Sequence, residues 1–179
     1  MAEQQGLFGM LAEFSDPAAV SRAAEKVRDA GYTKWDVYAP FPIHGIEDAM
    51  GLKPSRVSFF VGAGALTGVL CALLMQWWMS AVDYPMVIGG KPFFAWEQYL
   101  PITFELGVLL GSSGAILGMF VCNKLPMPYH PLMKKERFLS VSDDGFFIAI
   151  EASDPKFDAG EVRALLADIG GMHVEEVES

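Results

Sequence analysis

The chain has 179 residues, of which 52% are hydrophobic and 20% are charged, and its formal net charge at pH 7 is -9. So many large apolar residues exclude a disordered chain, the negative charge excludes the basic surface of a nucleic-acid-binding protein, and two isolated cysteines exclude a disulfide scaffold. The charges avoid the middle of the sequence, because residues 57–123 hold only Asp83, Lys91, Glu97 and Glu105. The composition therefore indicates a polar protein with an apolar insert.

The N-terminal part predicts a strand, a helix and a second strand. Residues 7–14 are an apolar run suited to a strand, and Asp16 followed by Pro17 supplies a helix cap and a first-turn proline. Apolar residues then recur at helical spacing up to Gly31, after which residues 35–39 alternate as a strand does. This is one β-α-β half of a domain.

The apolar insert predicts two membrane-spanning helices. No charged residue lies between Arg56 and Asp83, and a helix of that length, roughly 39 Å, exceeds the bilayer hydrocarbon of about 30 Å. A second stretch of similar length follows Pro101 and contains one carboxylate, Glu105. Residues 1–6 lack the basic start of a cleaved leader, so the first span is expected to be an anchor. The alternative is a large apolar core.

Charge and aromatic residues predict how the hairpin is oriented. Lysines and arginines flank its two ends, whereas the loop between the spans holds only Lys91. The positive-inside rule therefore predicts that both termini are cytoplasmic and that the loop is periplasmic. Aromatic residues that suit the outer membrane interface cluster around the loop: Trp77, Trp78, Tyr84, Phe93, Phe94, Trp96 and Tyr99.

Small residues form one face on each predicted span, at the spacing that permits close helix packing in lipid. They are Gly64, Gly68 and Ala72 in the first span, and Gly107, Gly111, Gly114 and Gly118 in the second. Two interpretations remain open. The two faces pack on each other within the hairpin, or the hairpin also docks onto helices of another subunit.

Glu105 is the ionisable residue whose position alone suggests a function, because charged groups at bilayer depth are costly. Since it lies one turn after Pro101, it could simply reach the outer headgroups. The alternative is a carboxylate that contacts a partner subunit or contributes to a proton route. Nothing in the local sequence separates these roles.

The C-terminal part repeats the pattern of the N-terminal part. An apolar strand over residues 145–152, a capping box of Asp158 with Glu161, a helix and a last strand follow one another. The run Glu151-x-Ser153-Asp154-Pro155 also repeats Glu13-x-Ser15-Asp16-Pro17. Internal duplication explains this better than chance. Two β-α-β halves predict an α+β, ferredoxin-like domain, with two helices covering one side of a four-stranded sheet.

These predictions divide the chain into consecutive segments. The hairpin lies between the second and third strands, and both linking segments contain prolines that favour semi-rigid extended spacers. The segments are a first half-domain (1–45), a connector (46–56), the first span (57–82), the periplasmic loop (83–100), the second span (101–123), a proline-rich connector (124–140) and the second half-domain (141–179).

Motifs for catalysis or cofactor binding are missing from the sequence. No C-x-x-C or C-x-x-C-H occurs, Cys71 and Cys122 fall within the predicted spans, and neither span contains a histidine. Phosphate-binding loops and a G-x-S-x-G elbow are also absent. We therefore expect no catalytic residue, no metal and no cofactor held by this chain alone.

Five runs of residues are distinctive: Tyr38-Ala39-Pro40-Phe41-Pro42-Ile43-His44-Gly45-Ile46, Gly51-Leu52-Lys53-Pro54-Ser55, Pro101-Ile102-Thr103-Phe104-Glu105, Tyr129-His130-Pro131-Leu132 and Asp143-Asp144-Gly145-Phe146-Phe147-Ile148. In this order they resemble the small two-span subunit of bacterial alternative complex III, a quinol-oxidising membrane complex of electron-transfer chains. The resemblance implies a cofactor-free accessory role in the bacterial cytoplasmic membrane. It also implies partners, namely a pentahaem cytochrome, an iron–sulfur subunit, quinol-interacting membrane subunits and a monohaem cytochrome.

Two other classes of function compete with an accessory subunit. A self-standing membrane-tethered sensor or ligand-binding module is the first, because ferredoxin-like domains often bind small ligands. A transporter is the second, for which two spans and one carboxylate are too few unless many copies assemble. An accessory subunit explains the missing ligands, the glycine faces and the polar domain together.

Overall fold

The computed structural model describes residues 6–179, so the prediction about a leader falls largely outside the described residues. The chain folds into two compact units, one formed by residues up to Lys53 together with Pro128–Ser179 and the other by Pro54–Met127. Its helices and strands are β1 (Leu7–Phe14), α1 (Pro17–Asp29), β2 (Trp35–Tyr38), α2 (Ile46–Met50), α3 (Val57–Trp78), α4 (Trp96–Cys122), β3 (Phe146–Glu151), α5 (Ala159–Asp168) and β4 (Met172–Glu178).

The polar unit is built on a four-stranded sheet with the order β2-β3-β1-β4. All three neighbouring pairs are antiparallel, and β1 lies between β3 and β4. The strands of the N-terminal part therefore alternate with those of the C-terminal part. Neither part could form this sheet alone. The predicted α+β class is confirmed, with four antiparallel strands and two long apolar helices.

Helices α1 and α5 pack on one face of this sheet. Their buried side chains meet Met10, Ile148 and Ile150 of the central strands in one apolar cluster. Each helix begins at the predicted aspartate: the Asp16 carboxylate accepts from the Ala19 N–H, and the Asp158 carboxylate accepts from two N–H groups of its own first turn. Such caps satisfy N–H groups that have no partner within the helix.

The opposite face of the sheet is also covered, which differs from the predicted two-layer arrangement. The connector forms two 3-10 turns, Pro131–Lys134 and Glu136–Ser142, and does not remain an extended spacer there. Leu132 and Phe138 lie buried against residues of β1, β3 and β4. The reason is that β1 and β3 are apolar on both sides, so the second face also needs a cover.

Two ion pairs join the segment that covers the second sheet face, residues 131–142, to the sheet. The Lys135 ammonium lies 3.4 Å from a carboxylate oxygen of Glu175. The Arg137 guanidinium lies 3.4 Å from a carboxylate oxygen of Glu13. Because these pairs are partly solvated, each contributes little to stability by itself. Burial of Leu132 and Phe138 is the larger contribution.

Asp154 joins two segments that are far apart in sequence. Its carboxylate accepts hydrogen bonds from the N–H groups of Thr33 and Lys34, both at 2.7 Å, from the Thr33 hydroxyl at 3.0 Å and from the Lys156 N–H at 2.8 Å. Burial alone would raise the pKa of Asp154, but these hydrogen bonds outweigh burial and lower the pKa to about 2. The carboxylate is therefore charged over the whole physiological pH range.

The apolar unit is a helical hairpin. Helix α3 continues through a π-helical turn, Met79–Asp83, and both Val57–Asp83 and Trp96–Cys122 are long and apolar enough to cross a membrane. Only 11% and 17% of their most apolar windows are buried. A core helix of a soluble protein would be mostly buried, so the low burial favours membrane spans. Helix α4 begins at Trp96, five residues before the predicted start, and contains Pro101.

Candidate partner-facing surface of the apolar hairpin

Glycines bring the backbones of α3 and α4 into direct contact. A Cβ atom added at any of three positions would overlap a carbonyl group of the other helix: Gly64 on Leu110, Gly68 on Leu106 and Gly114 on Phe60. Only glycine permits this approach, because any other residue would push the helices apart. The small face of α3 therefore lies on the small face of α4.

The remaining predicted packing residues line the same contact. A Cβ built on Gly107 would lie 3.2 Å from Cγ2 of Val69, and one on Gly111 would lie 3.3 Å from Cβ of Ala65. One on Gly118 would lie 2.9 Å from Cβ of Phe60, and Ala72 is fully buried. All seven residues thus face the other helix of the hairpin. Contacts with a partner subunit would have to use other faces.

A buried glutamine fastens the loop end of the hairpin. Gln76 is 8% exposed, and its side-chain amide donates to the Ala72 carbonyl at 3.1 Å and to the Thr103 hydroxyl of α4 at 3.4 Å. The Ser80 hydroxyl donates to the Gln76 carbonyl and lies in close contact with the Tyr99 hydroxyl. Hydrogen bonds between helices add to close packing in lipid.

Gln76 was not among the residues predicted from the sequence, although a signal for it exists. It lies four residues after Ala72, which places it on the small face that already contains Gly68. An uncharged polar side chain on a helix-packing face is expected to bond across the interface, because lipid offers it no partner.

Glu105 lies on the exposed side of α4. The residues of α4 that are buried against α3 include Thr103 and Gly107, one on each side of it in the sequence. At 100° per residue, Glu105 points away from α3. Among residues 6–179, no cation pairs with its carboxylate. The hairpin by itself therefore leaves this carboxylate uncovered.

The residues that could hold a metal or a redox centre are dispersed. No group of three histidine, cysteine, aspartate or glutamate side chains converges anywhere in residues 6–179. Cys71 and Cys122 are free and lie on exposed positions of the two spans. His44 lines an open cavity of about 470 Å³ with Glu47 and Asp48, at the start of the short helix α2.

Aromatic side chains surround the loop end of the hairpin. Trp77, Trp78 and Trp96 are all exposed, and the Tyr99 hydroxyl donates to the Phe93 carbonyl at 3.0 Å. Exposed tryptophans at one end of two apolar helices are typical of a membrane–water interface. Most of the other large exposed side chains of the two helices are aliphatic or phenylalanine and suit lipid or other helices.

Comparison with known proteins assigns this hairpin and its polar unit to a family. A family model described as the ActD subunit of alternative complex III matches residues 8–176, which include both candidate spans and all four strands except the ends of β1 and β4. No curated protein matches the chain. The predicted resemblance is thus confirmed. This chain is a membrane protein that belongs to the ActD family of alternative complex III subunits.

Proposed function

We propose that this chain is a cofactor-free accessory subunit that scaffolds alternative complex III, and that quinol oxidation and electron transfer belong to other subunits. The observation that carries the proposal is the hairpin, whose two helices use their small faces on each other and leave long apolar surfaces exposed. Such a hairpin provides surface for neighbouring helices. The dispersed positions of Cys71, Cys122 and His44 support a role without a redox centre.

The partners we propose are those that the resemblance implies. They are a pentahaem cytochrome, an iron–sulfur subunit, the quinol-interacting membrane subunits and a monohaem cytochrome. Membership of the family supports association with other subunits of the complex. Helices of the quinol-interacting subunits are the natural neighbours of α3 and α4, because only helices or lipid can cover an apolar span.

The polar unit is proposed to be a ferredoxin-like domain on the cytoplasmic side of a bacterial inner membrane. Two β-α-β halves and a sheet with β1 and β3 at its centre support the ferredoxin-like assignment. Cations at the two ends of the hairpin, including Arg56 and Lys124, support cytoplasmic termini. The loop between α3 and α4 would then be periplasmic.

Glu105 is proposed to contact a partner subunit near the periplasmic end of α4. It lies nineteen residues from Lys124, roughly 28 Å along a helix, which is close to the thickness of bilayer hydrocarbon. In this position the Glu105 carboxylate can accept a hydrogen bond from a donor side chain of another subunit. A place in a proton route is the second candidate role, and its support is that ionisable groups at such depths often serve proton transfer.

A tagged chain purified from native membranes in mild detergent tests the scaffold proposal. We expect large partner subunits and haem absorbance to accompany the wild-type chain, whereas the chain produced alone contains neither haem nor iron. A pigment that stays with the isolated chain would contradict the cofactor-free role. A chain that purifies without partners would favour a self-standing module instead.

A further inference from the structure

Polar side chains form a row along the outward face of α4. Gln98, Glu105 and Ser112 follow one another at intervals of seven residues, and all three are exposed. Residues seven apart lie almost above one another on a helix, because seven residues make nearly two turns. Leu109, between Glu105 and Ser112, and Ile116, one turn after Ser112, lie on the same face, and both are exposed. The face is therefore a polar row set in aliphatic surface.

This row does not belong to the packing of the hairpin. Thr103, Gly107 and Gly111 are the residues of α4 that are buried against α3 at this level. Glu105 is rotated by about 160° from each of Thr103 and Gly107, since each residue of a helix advances by 100°. The polar row consequently faces away from α3.

Lipid is a poor occupant of such a face. Measured along the helix axis from Lys124, Glu105 lies about 28 Å away, near the outer edge of the hydrocarbon, and Ser112 lies about 18 Å away. Ser112 therefore lies deep in the span, where its hydroxyl donates a hydrogen bond to the Leu109 carbonyl at 3.0 Å. Glu105 has no cationic partner within residues 6–179. A carboxylate in this position is favoured when a donor of another helix covers it.

We propose that this face of α4 docks one transmembrane helix of another subunit of the complex, and that this helix carries a cationic or N–H donor side chain opposite Glu105. The inference rests on the proposed scaffold function and specifies its contact. A seven-residue repeat favours a left-handed crossing of about 20°, in which the partner helix follows the row. The glycine faces remain inside the hairpin, so the two contacts do not compete.

Photocrosslinking from neighbouring positions of α4 tests the proposal. A photoreactive amino acid replaces Ile116, which is 54% exposed and lies on the row, or Leu117, which is 62% exposed and lies off it. In the assembled complex we expect the probe at Ile116 to crosslink to an apolar helix of another subunit, with much lower yield from position 117. Equal yields from both positions, or crosslinks from position 116 only to lipid or to a second copy of this chain, would overturn the proposal.

Substitution of the carboxylate provides a second measurement. Glu105→Leu should weaken retention of the crosslinked subunit by about tenfold, because an interhelical hydrogen bond is lost. Glu105→Gln keeps an acceptor and should lose less. Glu97→Leu, one turn before Pro101 and also exposed, is the matched control and should retain the subunit. Full retention by Glu105→Leu would count against a donor opposite Glu105.

The two proposals can fail separately. If the wild-type chain brings down no haem-containing partner, the scaffold function fails. If it brings down the partners but positions 116 and 117 crosslink alike, only the docking face is wrong. The crosslinking experiment does not depend on Glu105, so it stays decisive even where a Glu105 variant fails to accumulate.

Discussion

The aspartates of the repeated Ser-Asp-Pro run show how one residue type can have two roles. Asp16 caps α1 through the Ala19 N–H three residues later, and its role follows from the local sequence. Asp154 caps no helix and instead binds Thr33 and Lys34 from the other half of the chain. Thr33 and Lys34 are more than a hundred residues away in sequence, so only the folded structure reveals this role.

Removal of the Asp154 carboxylate should destabilise the polar unit. Asp154→Ala leaves the N–H groups of Thr33 and Lys34 without their acceptor, which should cost about 1–3 kcal/mol of unfolding free energy. Denaturant unfolding of the full-length chain in detergent measures this change. Asp144→Ala removes an exposed carboxylate from a turn and is expected to change little. Equal effects of both substitutions would contradict the role of Asp154.

The same carboxylate predicts an acid-sensitive stability. Its pKa of about 2 in the folded chain lies below its ordinary value of 3.8, so its contribution is complete above about pH 5 and is lost as the pH falls through 2. The Thr33 and Lys34 amides should therefore lose protection against hydrogen exchange as the pH falls below 5, after the rates are corrected for the intrinsic pH dependence of exchange. In Asp154→Asn this loss of protection should vanish. An unchanged pH profile in that variant would assign the effect to other groups.

At the scale of elements, spacing predicts contacts within a helix hairpin better than contacts of an irregular segment. The glycine series of α3 and α4 are periodic, so their common contact could be predicted before the structure. Leu132 and Phe138 stand six residues apart among prolines and charges, a pattern that predicts no regular element. The remaining clue was the two-sided apolarity of β1 and β3, which requires a cover on each face.

Substitution of a contact glycine should open the hairpin. The Cβ of Gly68→Ala would overlap the Leu106 carbonyl, so the helices must separate, at a cost of about 1–3 kcal/mol. Gly62→Ala is the matched control, because nothing lies within 4 Å of its added Cβ. Unfolding of the detergent-solubilised chain by a denaturing detergent measures both. A Gly68→Ala chain as stable as Gly62→Ala would argue against the close approach of α3 and α4.

The cover on the second sheet face predicts a contrast between adjacent residues. Phe138 is 2% exposed, whereas Leu139 is 54% exposed. Phe138→Ala should lower the unfolding free energy of the polar unit by about 3–5 kcal/mol, because it leaves a cavity against β3. Leu139→Ala should have little effect. Limited proteolysis between residues 131 and 142 reports detachment of the cover, and equal cleavage of both variants would show that this segment is not packed on the sheet.

For the whole molecule, composition and charge distribution predicted the two spans, whereas local motifs predicted the α+β class and the family. The α+β class, the two apolar helices and the family follow from apolar length, repeated punctuation and several distinctive runs. The buried Gln76 and the cover over the second sheet face did not follow, because each depends on a contact between distant segments. The candidate contact at Glu105 was recognised from its depth, and only the structure shows that it faces away from α3.

Labelling from one side of the membrane shows whether the loop and the two polar halves lie on opposite sides, as a two-span hairpin requires. Single cysteines replace Glu25, Met86 or Asp168, one in each segment, in a chain whose native cysteines are changed to alanine. A membrane-impermeant thiol reagent added to spheroplasts should label the variant at position 86 and reach positions 25 and 168 only after the membrane is opened. Labelling of all three from the same side would contradict a hairpin that crosses the membrane twice and returns the chain to complete its sheet.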